Sequence, residues 1–218
     1  MSTHQGTEAE TTGQSLLFGR TGLASIFELN TLFLSALARL GTASGYATAN
    51  DSIGKLAWLV SRQTVTARET LAQCPIALVD MGFRDTERWV QAIEQTDRQI
   101  ASPGGIFAML DSIRLAHQTL TLAWSTAQTA WQGACIMFGM TRSVAERLAH
   151  TSLQTVQRVA ERYPHWVRPI WEHQPEMWDY LVDVSNSPPK KLPTVGLRAL
   201  QRRLADLDLA TCEANEIR

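Results

Sequence analysis

From Leu23 onward the apolar residues recur at spacings of three and four. In "ASIFELNTLFLSALARL", Ile26, Leu29, Phe33, Leu37 and Leu40 fall on one stripe, which predicts an amphipathic helix ended by Gly41 and Gly45. "SIGKLAWLVSRQ" and "TVTARETLAQ" predict two shorter helices. Cys74-Pro75 stops the second, because the residue before a proline is pushed out of helical geometry. "DTERWVQAIEQTDRQI" predicts a further helix, capped by Asp85 with Arg88 and Trp89 on its inner side. "ASPGG" is the strongest breaker in mid-chain. Beyond it, "GIFAMLDSIRLAHQTLTLAWSTAQTAWQGACIMFGM" predicts one long helix or two. "TRSVAERLAHT" and "SLQTVQRVAERY" predict another short pair, and "PEMWDYLVDV" a last helix after Pro164.

The second run of patterns copies the first. Laying Leu32 on Leu120 brings Leu34 onto Leu122, Gly45 onto Gly133, Leu56 onto Val144, Ala57 onto Ala145 and Val60 onto Leu148. The same slide carries Val65 onto Leu153, Leu71 onto Val159, Ala72 onto Ala160, Val79 onto Val167 and Phe83 onto Trp171, all in one gap-free register. The expected organisation is a polar tail over residues 1–20, a first helical repeat over 21–100, a linker at 101–105 and a second repeat over 106–185. A proline-containing linker and a basic C-terminal helix fill 186–218. The expected fold class is all-α. In the last segment Arg198, Arg202 and Arg203 flank a leucine stripe, which reads as a docking helix, a backbone-binding arm, or a helix packed on its own domain.

Composition narrows the partners. With 20 basic residues against 21 acidic, the net charge is -1, so a strong sequence-independent grip on polyphosphate is not expected. Any nucleic-acid contact is expected to be local or shared with another subunit. Cys74, Cys135 and Cys212 are odd in number and far apart, which predicts neither a disulfide framework nor a zinc ribbon, and a reducing cytoplasm fits. The polar start carries no basic-then-apolar leader, and the apolar stretch Ile106 to Met140 is interrupted by Ser, Thr, Gln and Arg. A soluble cytoplasmic protein without a membrane partner is expected.

"TRSVAERLAHTSLQTVQRVAERY" fits a helix-turn-helix. Val144 and Leu148 would face inward from the first helix, Leu153 would fill the turn, and Val156, Val159 and Ala160 would face inward from the second. Gln154, Thr155, Gln157, Arg158 and Arg162 are then left on the outer and leading side, with donors and acceptors suited to purine edges in the major groove. The first copy offers Arg62 and Arg68 at matching surfaces, on a thinner polar face. The same pattern also describes ordinary helical bundles.

"GACIMFGMTRSVAERLAHTSLQTVQRVAER" resembles the middle of FlhD, a subunit of the flagellar master transcriptional regulator. The resemblance lies in Ala134, Gly139, Leu148-Ala149, Leu153 and Val159-Ala160-Glu161, with "LNTLFLSALARL", "KLAWLV" and "TLAQCPIALVDMGF" similar in the first half. It covers about residues 25–90 and 110–178. It implies two FlhD-like units fused into an intramolecular pseudo-dimer. It also implies a transcriptional activator subunit that binds promoter DNA together with a zinc-bearing partner of the FlhC type. The family's cysteine near the end of the second helical unit has no counterpart, Val79 or Val167 standing in its place. Tryptophan is favoured at binding hot spots, so Trp166, Trp171 and Trp178, with Arg198, Arg202 and Arg203, are the expected partner surface. The other reading of those rings is core.

No glycine-rich phosphate loop, nucleophile elbow or paired histidine-carboxylate motif is present, so neither catalysis nor a small-molecule substrate is expected, and no cofactor or metal. His150, His165 and His173 lack the spacing of a helical zinc pair and read as surface or capping residues. The competing function is a helical adaptor or antiactivator that grips a partner without touching DNA.

Overall fold

The computed structural model describes residues 20–43, 52–95, 105–187 and 199–205. Most of them are helical. The elements are α1 (Arg20–Thr42), α2 (Ser52–Ser61), α3 (Val65–Ala72), β1 (Val79–Asp80), α4 (Thr86–Glu94), α5 (Met109–Thr129), α6 (Trp131–Phe138), α7 (Arg142–Ala149), α8 (Leu153–Arg162), β2 (Arg168–Pro169) and α9 (Pro175–Ser185). A single 3-10 turn, Pro164–Trp166, precedes β2, and residues 199–205 are helical. Among the described residues, the strand structure is the two-residue antiparallel pair β1–β2, in register Val79↔Pro169 and Asp80↔Arg168. The linker 101–104, Arg198 and the tails lie outside the described residues.

The long pattern after Gly105 is two helices, because Ala130 takes an extended conformation (φ -157, ψ 95) between α5 and α6. Gly139, at φ +69, closes α6 in the left-handed conformation that favours glycine. Side-chain caps set the short helices: Thr64 accepts from Ala67 N–H, Asp85 from Arg88 N–H, Thr141 from Val144 N–H and Ser152 from Thr155 N–H. The Asp85 cap is the one the sequence predicts.

α1 and α5 form the spine. α2 and α3 pack on α1, and α7 and α8 pack on α5. The remaining helices cross over: α4, from the first half, packs on α7 and α8, while α9, from the second half, packs on α2 and α3. Polar contacts repeat the crossing. Arg147 pairs with Glu94 at 3.0 Å, the Tyr163 hydroxyl donates to Gln95 Oε1 at 2.8 Å, and Asn186 Nδ2 donates to Gln63 Oε1 at 2.8 Å. Where the crossings meet, Phe83 stacks on Trp89 (5.1 Å between centroids), and Trp89 meets Trp166 edge to face at 5.5 Å.

Burial follows the expected periodicity but corrects the gap-free register. Leu56, Ala57 and Val60 match Val144, Ala145 and Leu148 as laid out above, and Leu71 and Ala72 match Val159 and Ala160. In the long helices, however, the buried residues Ile26, Leu29, Asn30, Phe33, Leu34, Leu37 and Gly41 match Ser112, Leu115, Ala116, Thr119, Leu120, Ala123 and Ala127, Ala36 alone facing a half-buried counterpart, Leu122. Leu34 therefore corresponds in packing to Leu120, and Leu32 and Leu122 are only half-buried. The register is two residues shorter there.

α1 from Gly22 to Thr42 is long and apolar enough, by length and composition, to cross a membrane. Its apolar stripe instead meets the core, and Asn30, fully buried in its middle, is hydrogen-bonded on both sides of its amide.

Candidate nucleic-acid interface

The α7–α8 pair is a helix-turn-helix in outline, and its turn is well anchored. Trp124 Nε1 donates to Thr151 O at 2.8 Å and Thr151 Oγ1 to Arg147 O at 2.8 Å, so α5 holds the turn between the two short helices. Val144, Ala145, Leu148, Val156, Val159 and Ala160 are all buried, as the inward positions require. Leu153 does not fill the turn. It is 38% exposed at the first position of α8, and Val65, at the same place on α3, is 62% exposed. The Trp124 indole takes the role expected of Leu153, a contact that local spacing does not signal.

The expected base-reading residues divide into two groups. Gln154 and Gln157 are exposed and Arg158 is half-buried, and their side chains have no hydrogen-bond or ion-pair partner among the described residues. Thr155, Arg162, Arg62 and Arg68 are engaged internally. The Thr155 hydroxyl accepts from Ser152 Oγ at 3.1 Å, and Arg162 lies 5.3 Å from the Tyr163 ring centre. Arg62 lies 5.3 Å from the Trp58 ring, and Arg68 Nη1 donates to Gln63 O at 2.7 Å. The α7–α8 pair thus keeps three polar side chains without a partner among the described residues, whereas the two arginines of the α2–α3 pair are tied to their own turn.

The expected partner surface needs correction. Trp166, Trp171 and Trp178 are buried at 6, 9 and 1% exposure, and Trp178 Nε1 donates to Ile170 O at 2.7 Å. These rings are core side chains, since each has too much apolar area to leave in water when the crossing helices can cover it. Arg203 is also buried, against Gly139 and 5.8 Å from the Trp171 ring, and Arg202 Nη2 donates to Gln174 Oε1 at 2.8 Å. The described part of the basic C-terminal segment therefore packs on its own chain. Arg198 lies outside the described residues.

Among the described residues no group of three or more His, Cys, Asp or Glu side chains is arranged to hold a metal. Burial pushes the thiols of Cys74 and Cys135 up to about 11, so both are protonated at neutral pH. No known protein family, curated protein or solved structure matches the chain.

Proposed function

We propose that this chain is a transcriptional regulator subunit. In this reading two FlhD-like units are fused into an intramolecular pseudo-dimer, which meets promoter DNA as part of a complex with an FlhC-like zinc-bearing protein. The observation that carries the reading is the doubled helix-turn-helix arrangement, whose second copy leaves Gln154, Gln157 and Arg158 outward and unengaged. Three features support the pseudo-dimer. The crossing of α4 and α9 is reciprocal, as when two subunits exchange their last helices. Asp80 pairs with Arg168, its own counterpart in the repeat register, as the residue nearest a twofold axis does. Trp89 and Trp178 each donate an indole N–H to a backbone carbonyl just upstream, Gly82 O and Ile170 O. Fusion frees pairing of the units from dilution, because linked partners meet at high effective concentration.

So few outward cations give little phosphate grip alone. The purified chain is expected to shift promoter DNA only with its zinc-bearing partner, in a salt-sensitive manner. Arg158→Glu is expected to weaken that complex-dependent binding about tenfold at fixed salt while leaving thermal unfolding unchanged, because one base-edge or phosphate contact becomes a repulsion. Unchanged affinity in a gel shift would remove α8 from the DNA interface.

The alternative reading, an adaptor or antiactivator without DNA contact, draws on a groove of about 870 Å³ between α1 and α5. Phe27, Leu29, Leu32 and Leu122 line it, with Glu28 and Arg114 alongside. Such a groove suits the apolar face of a partner helix. A partner retained after nuclease treatment, with no DNA crosslink to α8, would favour this reading over the first.

A further inference from the structure

Beside the β1–β2 pair lies a polar cleft of about 460 Å³, lined by residues from both halves of the chain. Its acidic groups are engaged. Asp80 Oδ1 accepts from the backbone N–H groups of Met81, Gly82 and Phe83, at 2.8, 3.1 and 3.4 Å. Glu172 sits between Arg168 Nη1 at 3.4 Å and His173 Nε2 at 3.1 Å. Arg88 is the exception. Its guanidinium carbon stands 3.7 Å from the centre of the Trp166 ring, and Nη1 packs against Gly82, where an added Cβ would come within 3.2 Å of it. No carboxylate of a described residue lies within 4.0 Å of the guanidinium, and Asp80 and Asp85 act on it only from longer range.

Two further features point into the same place. His165, which also lines the cleft, has an enclosed Nδ1 with no hydrogen-bond partner. Burial, with Arg88 and Arg168 nearby, holds its pKa below the ordinary histidine value, so the ring is neutral at pH 7 and can donate or accept one hydrogen bond. Trp171, on the wall, adopts φ +53, a left-handed conformation rare for a bulky residue and a mark of functional strain. The matching places in the other half carry Ala77, Leu78 and Glu176 where the cleft has His165, Trp166 and Arg88. The polar constellation is therefore built once.

We propose that the cleft binds a small singly charged carboxylate, its carboxylate on the Arg88 guanidinium and the rest of the molecule along the wall to which His165, Pro169 and Trp171 contribute. One unmatched cation selects one negative charge. A phosphate dianion or a polyphosphate would bring excess charge next to Asp80 and Glu172. Aromatic walls with a few converging polar groups are the usual make-up of a small-molecule site, and the volume suits one.

The test titrates benzoate into the full chain, followed by tryptophan fluorescence and by the indole N–H signal of Trp166, with inorganic phosphate as the comparison anion. Benzoate is expected to give a saturable change and phosphate none. Arg88→Met is expected to weaken benzoate binding about tenfold, the loss of one charge-assisted contact, and a change at exposed His150, outside the cleft, His150→Ala, to leave it unchanged. Backbone amide shifts in the unaltered protein give a reading that does not depend on the variant folding. Shifts confined to residues 80–88 and 165–174 support the site, and shifts elsewhere overturn it. A non-saturating response, an equal response to phosphate, or undiminished binding by a cooperatively melting Arg88→Met also overturns it.

Discussion

Gly41→Ala is expected to destabilise the protein by about 3 kcal/mol, although helix propensity alone would favour alanine by about 1 kcal/mol. A Cβ at Gly41 would land inside the carbonyl of Ala57 and 2.8 Å from the amide nitrogen of Trp58. All of these are backbone atoms of α2, so no rotamer change relieves the overlap. α1 and α2 would have to move apart, and the fit of Leu37 against Leu56 and Val60 in the same core would loosen with them. Urea unfolding of the variant measures the effect. A midpoint equal to or above that of the parent would mean that the crossing of α1 and α2 is looser than described.

Asn30→Leu is the second large effect, expected to cost about 3 to 5 kcal/mol while nearly preserving side-chain volume. The two hydrogens of the Asn30 amide nitrogen are shared among Ala72 O, Cys74 O and Ile76 O, at 3.2, 3.0 and 3.0 Å from the nitrogen, and its oxygen accepts from Leu78 N–H at 2.8 Å. One side chain thus satisfies the irregular span between α3 and β1, which carries only buried or half-buried residues after Gln73. Leucine would leave three carbonyls and one N–H enclosed without it, and each such orphan costs more than the bond it replaces gains. Thermal unfolding with amide exchange over residues 74–78 reads the outcome. A loss under about 1 kcal/mol would show that water or a shift of this span replaces the asparagine.

The helices were legible because apolar stripes recur along them, and Asp85 and Pro75 act within a few residues of where they stand. Asn30 was not legible as a staple, because its partners lie far along the chain and are backbone groups without any side-chain signature. The β1–β2 pair was invisible for a related reason: two residues give no alternation to detect. Tryptophan identity is equally consistent with core and with interface, and burial of Trp166 and Trp178 follows from the crossing of α4 and α9, which no local pattern encodes. The candidate DNA-reading residues were found by helical spacing. Spacing could not separate Gln154, Gln157 and Arg158 from Arg62 and Arg68, whose turn contacts depend on Trp58 and Gln63. The Arg88 cleft escaped notice because its walls come from segments that meet only when the halves interlock.

That interlocking bears on biosynthesis. As the chain leaves the ribosome, α4 can settle only on its own half, through Trp89 against Phe83, until α7 and α8 have been made, and α2 and α3 stay incompletely covered until α9 arrives. The amino-terminal portion must therefore wait, partly unburied, for most of translation. Such high contact order slows folding and gives chaperones and proteases a window in which to act.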